Sequence, residues 1–589
     1  MKEKEQVFKI IIDGKDCMAR EGQTILDVAL ENGIEIPTLC FLKEINEVGA
    51  CRICLVEVEG VRGLVTSCVA KVTPGMVVRT STPKVLQSRK TTLELLLSNH
   101  NKKCLTCIRN TNCELQDLAR KFGIEHLLYE GEMTEPIFDD SSLCITRDTS
   151  KCILCGRCVN ICSKVQTVGA ITRVGRGFKT YIGVAENYPI ANSTCVGCGQ
   201  CIVNCPVGAL KEKDYISEVE NALNNPELHV VVQTAPAVRA TLGEEFGARF
   251  GTLVTGKMIA GLKRLGFDKV FDTDVAADLT IMEEGTEFIS RLEKNENIPM
   301  ITSCSSGWIT FAEKFFPGLL PHLSSAKSPM EMMGTMIKTY YAEKEKIDSK
   351  KIFSVAIMPC SAKKAEIARE ELKYNGMQMV DAVLTTRELA RMLKAHNIDL
   401  MELDEEEFDT PFGEATGAGH IFGTTGGVME AAVRTVVDKL TGKNIEKIEY
   451  KELRGVQGIK EATLDINGKE IKIAVANGLS NVRYLMEKLA KGELDYHFIE
   501  VMTCPGGCIM GGGQPIVSTK NKHKYNIKAL RASALYEADR GAKYRKSHEN
   551  KEIKKLYKDF LKTPNEGIAH ELLHTKYKAQ EVYQNNVEV

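Results

Sequence analysis

The feature that most limits this chain is a repeated cysteine run. The stretch "CILCGRCVNIC" supplies Cys152, Cys155, Cys158 and Cys162, and "CVGCGQCIVNC" supplies Cys195, Cys198, Cys201 and Cys205. Both read C-x2-C-x2-C-x3-C. Of the 21 cysteines in 589 residues, seventeen precede residue 206 and four follow residue 300. In a reducing compartment such thiols stay unpaired. Scattered buried thiols acting as small hydrophobes would not fall at two-residue gaps. Metal is the reading the spacing favours.

The paired runs resemble the bacterial two-cluster ferredoxins, in which the fourth cysteine of each run ligates the other run's cluster. The resemblance implies one [4Fe–4S] cubane on Cys152, Cys155, Cys158 and Cys205, and a second on Cys195, Cys198, Cys201 and Cys162. Proline follows the second run as Pro206, whereas Ser163 follows the first. Nearer the start, "VFKIIIDGKDCMAR" alternates around an Asp-Gly turn and predicts a β-hairpin, followed by a short helix in "TILDVALENG". Cys40, Cys51, Cys54 and Cys68 follow as C-x10-C-x2-C-x13-C. This follows the logic, not the spacing, of plant-type ferredoxins: one loop and a distant strand holding a [2Fe–2S] rhomb. Zinc is the alternative. His100, Cys104, Cys107 and Cys113 form H-x3-C-x2-C-x5-C; on spacing alone this set suits zinc or a [4Fe–4S] cluster equally.

A chain of this length needs several domains. A hydrophobic content of 43%, charge of 26% and net charge of −1 describe an ordinary globular protein with no field drawing it to nucleic acid or membrane. The opening has no apolar run like a signal peptide, and no stretch approaches a membrane span, so a cytoplasmic location is expected. The expected fold class is multidomain α/β and α+β. Ferredoxin-like modules at 1–80, 81–125 and 140–212 precede a two-lobed α/β domain at 215–525 with mainly parallel sheets. A helical segment at 526–589 completes the chain.

The four late cysteines, Cys304, Cys360, Cys504 and Cys508, each sit in a Gly/Pro/Ser-rich loop after an apolar run. "TSCSSGW", "MPCSAKKAE" and "EVMTCPGGCIMGGGQP" resemble the three signature loops of the iron-only [FeFe]-hydrogenases. With the modular front, the resemblance to the larger clostridial-type members covers essentially the entire chain. A cytosolic iron–sulfur assembly relative lacks the complete loops and the front modules. The resemblance implies an H-cluster: a [4Fe–4S] cubane joined to a two-iron unit bearing CO, CN⁻ and a dithiolate. Cys360, Cys504 and Cys508 match cubane ligands, Cys508 the bridging one. Lys363 matches the lysine beside a cyanide, while Pro236, Ala237, Met358 and Met502 match the pocket lining. The family's first loop reads Cys-Cys-Pro. Without a gap, Cys304 takes the proton-donor position, Ser305 the ligand position and Ser306 the proline position; with a local slip, Cys304 becomes the ligand. Sulfur's softness favours the slip, whereas ungapped register favours Ser305.

Glu284, Glu287 and Arg291 share a helical face in "MEEGTEFISR". With Ser324 they match the family's proton chain from surface to cluster, ending at Cys304. The implied reaction is 2H⁺ + 2e⁻ = H₂, with electrons relayed through the front clusters. The expected partners are ferredoxin, or flavin and NAD(P)-binding companion subunits of an electron-bifurcating complex, and maturation proteins that install the two-iron unit. A hydrogen-sensing or slow homologue is the alternative that Ser305, Ser306 and Met330 raise; a complex I-type electron wire is opposed by the complete second and third loops. Cys17 and Cys144 are expected to be plain thiols, and His548, His570 and His574 surface or packing residues. The glycines of "VGRGFKTYIG" and "FGTTGGVME" lack a nucleotide-binding context.

Overall fold

A computed structural model describes residues 6–442, 451–453 and 458–583. Residues 1–5 and 584–589, which the expected first and last segments include, lie outside the described residues.

The first segment folds as the alternation requires. Val7–Ile12 and Lys15–Arg20 pair antiparallel around Asp13 and Gly14, both at positive φ (48° and 79°), as a two-residue hairpin turn demands. Ile10, Ile12, Cys17 and Ala19 face inward. The sheet runs Lys15–Arg20, Val7–Ile12, Val77–Arg79, Leu55–Val58, Leu64–Thr66. Helix Ile25–Glu31 packs on it, closed by a capping box between Thr24 and Asp27. Helix Pro83–Ser98 then opens on the Thr82 cap with Pro83 in its first turn.

The repeated runs are repeated in space. Gly156 (φ 78°) and Gly199 (φ 66°) take the left-handed conformation, and each opens a short helix, Arg157–Asn160 and Gln200–Asn204. A side chain at either position would be strained. Ile145–Asp148 and Leu210–Glu212, one strand before both runs and one after, pair antiparallel and close the module. Phe138–Asp139 adds a third strand, two residues ahead of the expected boundary at 140.

The large domain has two sheets. One is wholly parallel, in the order Lys269–Asp272, His229–Thr234, Ile352–Met358, Ala382–Thr385. Its strands are buried on both faces, which explains why "HVVVQT" and "IFSVAIM" read as continuous apolar runs rather than alternations. In the other, Met300–Ile301, Phe498–Met502 and Lys469–Asn477 are parallel. Ile459–Ile466 and Lys451–Glu452 continue it antiparallel. That second sheet is therefore mixed: its hairpin turns on Asn467 and Gly468, both at positive φ.

The parallel strands position the cysteine-bearing loops. At their carboxyl ends emerge the segments carrying Pro236, Cys304, Cys360 and Cys504, where such sheets place ligands. Helices Ile527–Gly541, Lys551–Leu556 and Gly567–Leu573 wrap the outside. They are tied in by Arg434–Asp539 (2.9 Å) and a bridge between Ala326 and His574. Among the described residues no helix is long and apolar enough to cross a membrane.

Candidate active site and its connections

The loops converge on a cavity of about 90 Å³. Close-packed interiors leave few voids larger than one water, so a space this size marks a binding site. Its walls include Cys304, Ser305, Cys360, Cys504 and Cys508, together with Lys363, Pro236, Ala237, Met358 and Met502. All the residues expected to hold or line the H-cluster are thus brought together, joined by Met330. Burial pushes the Cys508 thiol up to about 12, and those of Cys360 and Cys504 upward too. Left alone, these groups stay protonated; a bound cation reverses that.

Cys304 and Ser305 of the first loop both line the cavity. Cys304 is pushed well above an ordinary thiol by burial, with neighbouring Glu284 and Cys508 adding to it. Ser305 turns to the third loop, its Oγ 2.8 Å from Thr503 Oγ1 and accepting the Thr503 N–H at 3.2 Å. Ser306 donates to the Glu366 carboxylate. Lys363 forms an ion pair with Glu366 (2.7 Å) and donates to the Cys304 carbonyl at 3.3 Å.

A hydrogen-bonded line runs outward along helix Thr273–Lys294. Glu284 is buried beside Ser324 and pushed up to about 8 by desolvation, with Glu287 adding to it. Ser324 Oγ donates to Glu287 at 2.9 Å, and Glu287 accepts Arg291 Nη2 at 2.6 Å. Ser325 N–H also donates to Glu287, at 3.1 Å. The i, i+3, i+7 spacing put three of these on one face; the chain fold brings Ser324 between the two carboxylates.

The other cysteine sets lead to the same cavity. Cys152, Cys155, Cys158 and Cys205 line one internal space; Cys162, Cys195, Cys198 and Cys201 line another. Cys40, Cys51, Cys54 and Cys68 are all buried, with Cys54 and Cys68 sulfurs 3.3 Å apart. Buried His100 has an Nδ1 with no partner, an orphan atom that a metal would satisfy. Cys113 precedes helix Glu114–Lys121, and Cys107 lies against Gly208. The second run docks directly on the catalytic loops: Ser361 Oγ donates to the Gly197 carbonyl at 2.6 Å, and Gln200 Nε2 to the Met510 carbonyl at 2.9 Å. A Cβ on Gly512 would stand 2.3 Å from the Cys198 carbonyl oxygen and 2.6 Å from Gly199 Cα. Glycine at both positions is what allows the backbones to touch.

Several contributors were not singled out from sequence. Glu366, Thr503 and Glu500 reach their partners across long sequence separations. The Glu500 carboxylate accepts the N–H groups of Gly426 and Met429, filling the helix N-terminus at "TTGGVME" with the protein's own anion. His548 bonds Asp438 (2.8 Å). His574 is buried between Glu283 (3.0 Å) and Ser325 (2.8 Å), while His570 is exposed.

Cysteine sets leading inward from the periphery to a thiol-lined apolar cavity define a redox metalloprotein. Residues 228–512 match the family model described as "Iron only hydrogenase large subunit, C-terminal domain", and 525–580 "Iron hydrogenase small subunit". Residues 5–83 match a "2Fe-2S iron-sulfur cluster binding domain" and 89–127 an "NADH-ubiquinone oxidoreductase-G iron-sulfur binding region". Residues 151–209 match a "4Fe-4S dicluster domain". The NADP-reducing hydrogenase subunit HndD of Solidesulfovibrio fructosivorans is 49% identical over 584 residues, 97% of this chain and 99% of that one. Iron hydrogenase 1 of Clostridium pasteurianum is 46% identical, with the same coverage of 97% and 99%. A variant of the [FeFe]-hydrogenase HydA1 from Chlamydomonas reinhardtii aligns at TM-score 0.57 and 40% identity, over 63% of this chain and 100% of that chain. The chain belongs to the iron-only hydrogenases, in the form that carries N-terminal iron–sulfur domains.

The residues present fit the cofactors of that family. Thiols gather in sets, a buried imidazole nitrogen is unpartnered, and glycines remove the side chains that would fill the space.

Proposed function

We propose that this chain interconverts protons and dihydrogen, 2H⁺ + 2e⁻ = H₂, with protons and electrons reaching the cavity by separate routes. The observation that carries the reading is the line Arg291–Glu287–Ser324–Glu284, which leads to Cys304 on the cavity wall.

In this reading Cys360, Cys504 and Cys508 would hold the cubane, Cys508 would also connect it to the two-iron unit, and Ser305 would fill the fourth position. When bound, the iron assembly supplies the redox chemistry and an open coordination site for hydrogen. The chain's own residues do the rest. Lys363 sets a cation against bound anionic ligands. Pro236, Ala237, Met358 and Met502 keep the wall apolar and exclude water. Cys304 carries the proton at the cavity; Glu284, neutral below about pH 8, reloads it through Ser324 and Glu287. Ser305 as ligand leaves the Cys304 thiol free for that role, with Glu284 beside it.

Electrons come from three accessory [4Fe–4S] clusters and one [2Fe–2S] cluster. Their proposed ligands are Cys40, Cys51, Cys54 and Cys68; His100, Cys104, Cys107 and Cys113; and the two interleaved sets of the repeat. The kinship to a subunit of an NADP-reducing hydrogenase supports companion subunits that carry flavin and NAD(P), ferredoxin being the other electron partner. Maturation proteins install the two-iron unit, since no side chain provides CO or cyanide. The protein works in the cytoplasm.

The test is purification with native neighbours after maturation. Infrared bands of CO and CN⁻ and hydrogen evolution from reduced ferredoxin or NAD(P)H are expected. A matured sample with only conventional clusters and no hydrogen turnover would defeat the proposal.

A further inference from the structure

The accessory cysteine sets meet at one buried ion pair. Arg157, between Cys155 and Cys158, is 1% exposed. Its Nη1 and Nη2 donate to Glu114 Oε1 and Oε2 at 3.2 and 2.9 Å. Glu114 follows Cys113, and its N–H donates at 3.0 Å to the carbonyl of Pro206, beside Cys205. Glu114 Oε1 also accepts the Thr519 N–H and hydroxyl, at 3.2 and 2.8 Å. The segment after the third catalytic loop therefore locks the pair in place. On the same short helix, Asn160 Nδ2 donates to Asn46 Oδ1 at 2.6 Å. Asn46 Nδ2 donates to the carbonyls of Cys40 (2.6 Å) and Cys155 (3.1 Å). The loops of the expected [2Fe–2S] site and first cubane are thus joined by one buried asparagine, with Arg157 three residues from its partner. Arg157 opens the short helix that carries Cys158 and follows Cys155 by two residues.

We propose that Arg157 sets the reduction potentials at this fork, favouring the electron on the Cys152/Cys155/Cys158/Cys205 cubane and on the Cys40-containing cluster, with Glu114 limiting the effect. The inference rests on the cluster ligands assigned under the proposed function. Reduction adds one electron and one negative charge to a cluster, with no bond made and no proton moved. A fixed cation nearby stabilises that reduced state, and away from water its charge is weakly screened. Glu114 opposes it and keeps the buried cation paired. Neither residue touches substrate; both act through the clusters.

The test is a potentiometric titration of the full chain, monitored by EPR, on the wild type and on Glu114→Gln, Arg157→Gln and Arg157→Lys. Glu114→Gln raises the potentials of the two named clusters. Arg157→Gln lowers them, and Arg157→Lys restores most of the loss. Each shift is at least a tenfold change in the reduced-to-oxidised ratio at fixed potential, about 59 mV for a one-electron couple. The cubane on Cys195, Cys198, Cys201 and Cys162 moves less. Arg157→Gln strands a buried carboxylate and can fail to fold. Glu114→Gln keeps the shape and the acceptor for Thr519, so its upward shift alone decides the matter. A wild type lacking these EPR signals and their iron would remove the cluster assignments themselves. Signals present, with Glu114→Gln unchanged or shifted downward, would overturn the role of the pair.

Discussion

Thr503 Oγ1 lies 2.8 Å from Ser305 Oγ, and the Thr503 N–H donates to the same oxygen at 3.2 Å. An oxygen is a harder ligand for iron than a thiolate, and the Thr503 N–H aimed at it favours its anionic form. The threonine gives a serine in the ligand position a chemical rationale.

The pair separates ligand from proton carrier by experiment. Cys304→Ala is expected to leave the iron content and cubane EPR signal intact while lowering hydrogen turnover by about 10²–10⁴-fold. Ser305→Ala is expected to lose cubane iron, and Ser305→Cys to retain it with a changed signal. Iron loss from Cys304→Ala instead would assign the ligand to Cys304.

Glu284 gives the reaction a pH dependence. Its carboxyl is raised to about 8 by burial. Below that value it holds a proton to give, and above it a site to accept one. Hydrogen evolution should fall, and hydrogen oxidation gain, as pH rises through about 8. Glu284→Gln should remove this inflection and cost about 10²–10⁴-fold in both directions, read from pH–rate profiles on an electrode.

The same carboxyl bears on stability. Glu284 and Glu500 are raised to about 8 and about 7 when folded, against about 4.3 in an unfolded chain. The folded state binds more protons between those values, so their contribution is full below about pH 4 and is lost as pH rises to about 8. Thermal unfolding of Glu284→Gln should show a weaker decline with alkalinity than wild type.

Gly512 is expected to tolerate nothing larger. A methyl there meets the Cys198 carbonyl oxygen at 2.3 Å, and backbone must move. Gly512→Ala should cost about 1–3 kcal/mol and slow electron arrival at the cavity, seen by freeze-quench EPR as accessory clusters that stay reduced longer.

His574→Ala leaves Glu283 and Ser325 each short of a buried partner. A loss of about 1–3 kcal/mol is expected, with the terminal helices gaining protease sensitivity first. Iron content should not change, since this histidine serves packing.

What was legible in the sequence was whatever is written locally. Cysteines at two-residue gaps, the Asp13-Gly14 turn and the i, i+3, i+7 face of Glu284, Glu287 and Arg291 are short-range patterns, and short-range sterics decide them. The crosswise sorting of Cys162 and Cys205 was readable only through the resemblance. Arg157 with Glu114, Glu366 with Ser306, and Glu500 on Gly426 were not legible. Each pairs residues far apart in the chain, where only the packed fold sets the neighbour. The mainly parallel sheets were legible as alternating strands and helices, and the Ile459–Ile466 and Lys469–Asn477 hairpin adds an antiparallel edge to the second of them. The resemblance made His574 a surface or packing residue, and the return of the tail against Ser325 makes it a packing one.

The space lined by Cys152, Cys155 and Cys158 is completed by Cys205, and that of Cys195, Cys198 and Cys201 by Cys162. During synthesis, neither chamber can close until the ribosome has passed Cys201, and the first must wait for Cys205. A nascent chain halted between the two runs would hold two unfinished half-sites, vulnerable to oxygen and to stray metals, and truncation there should abolish both centres together.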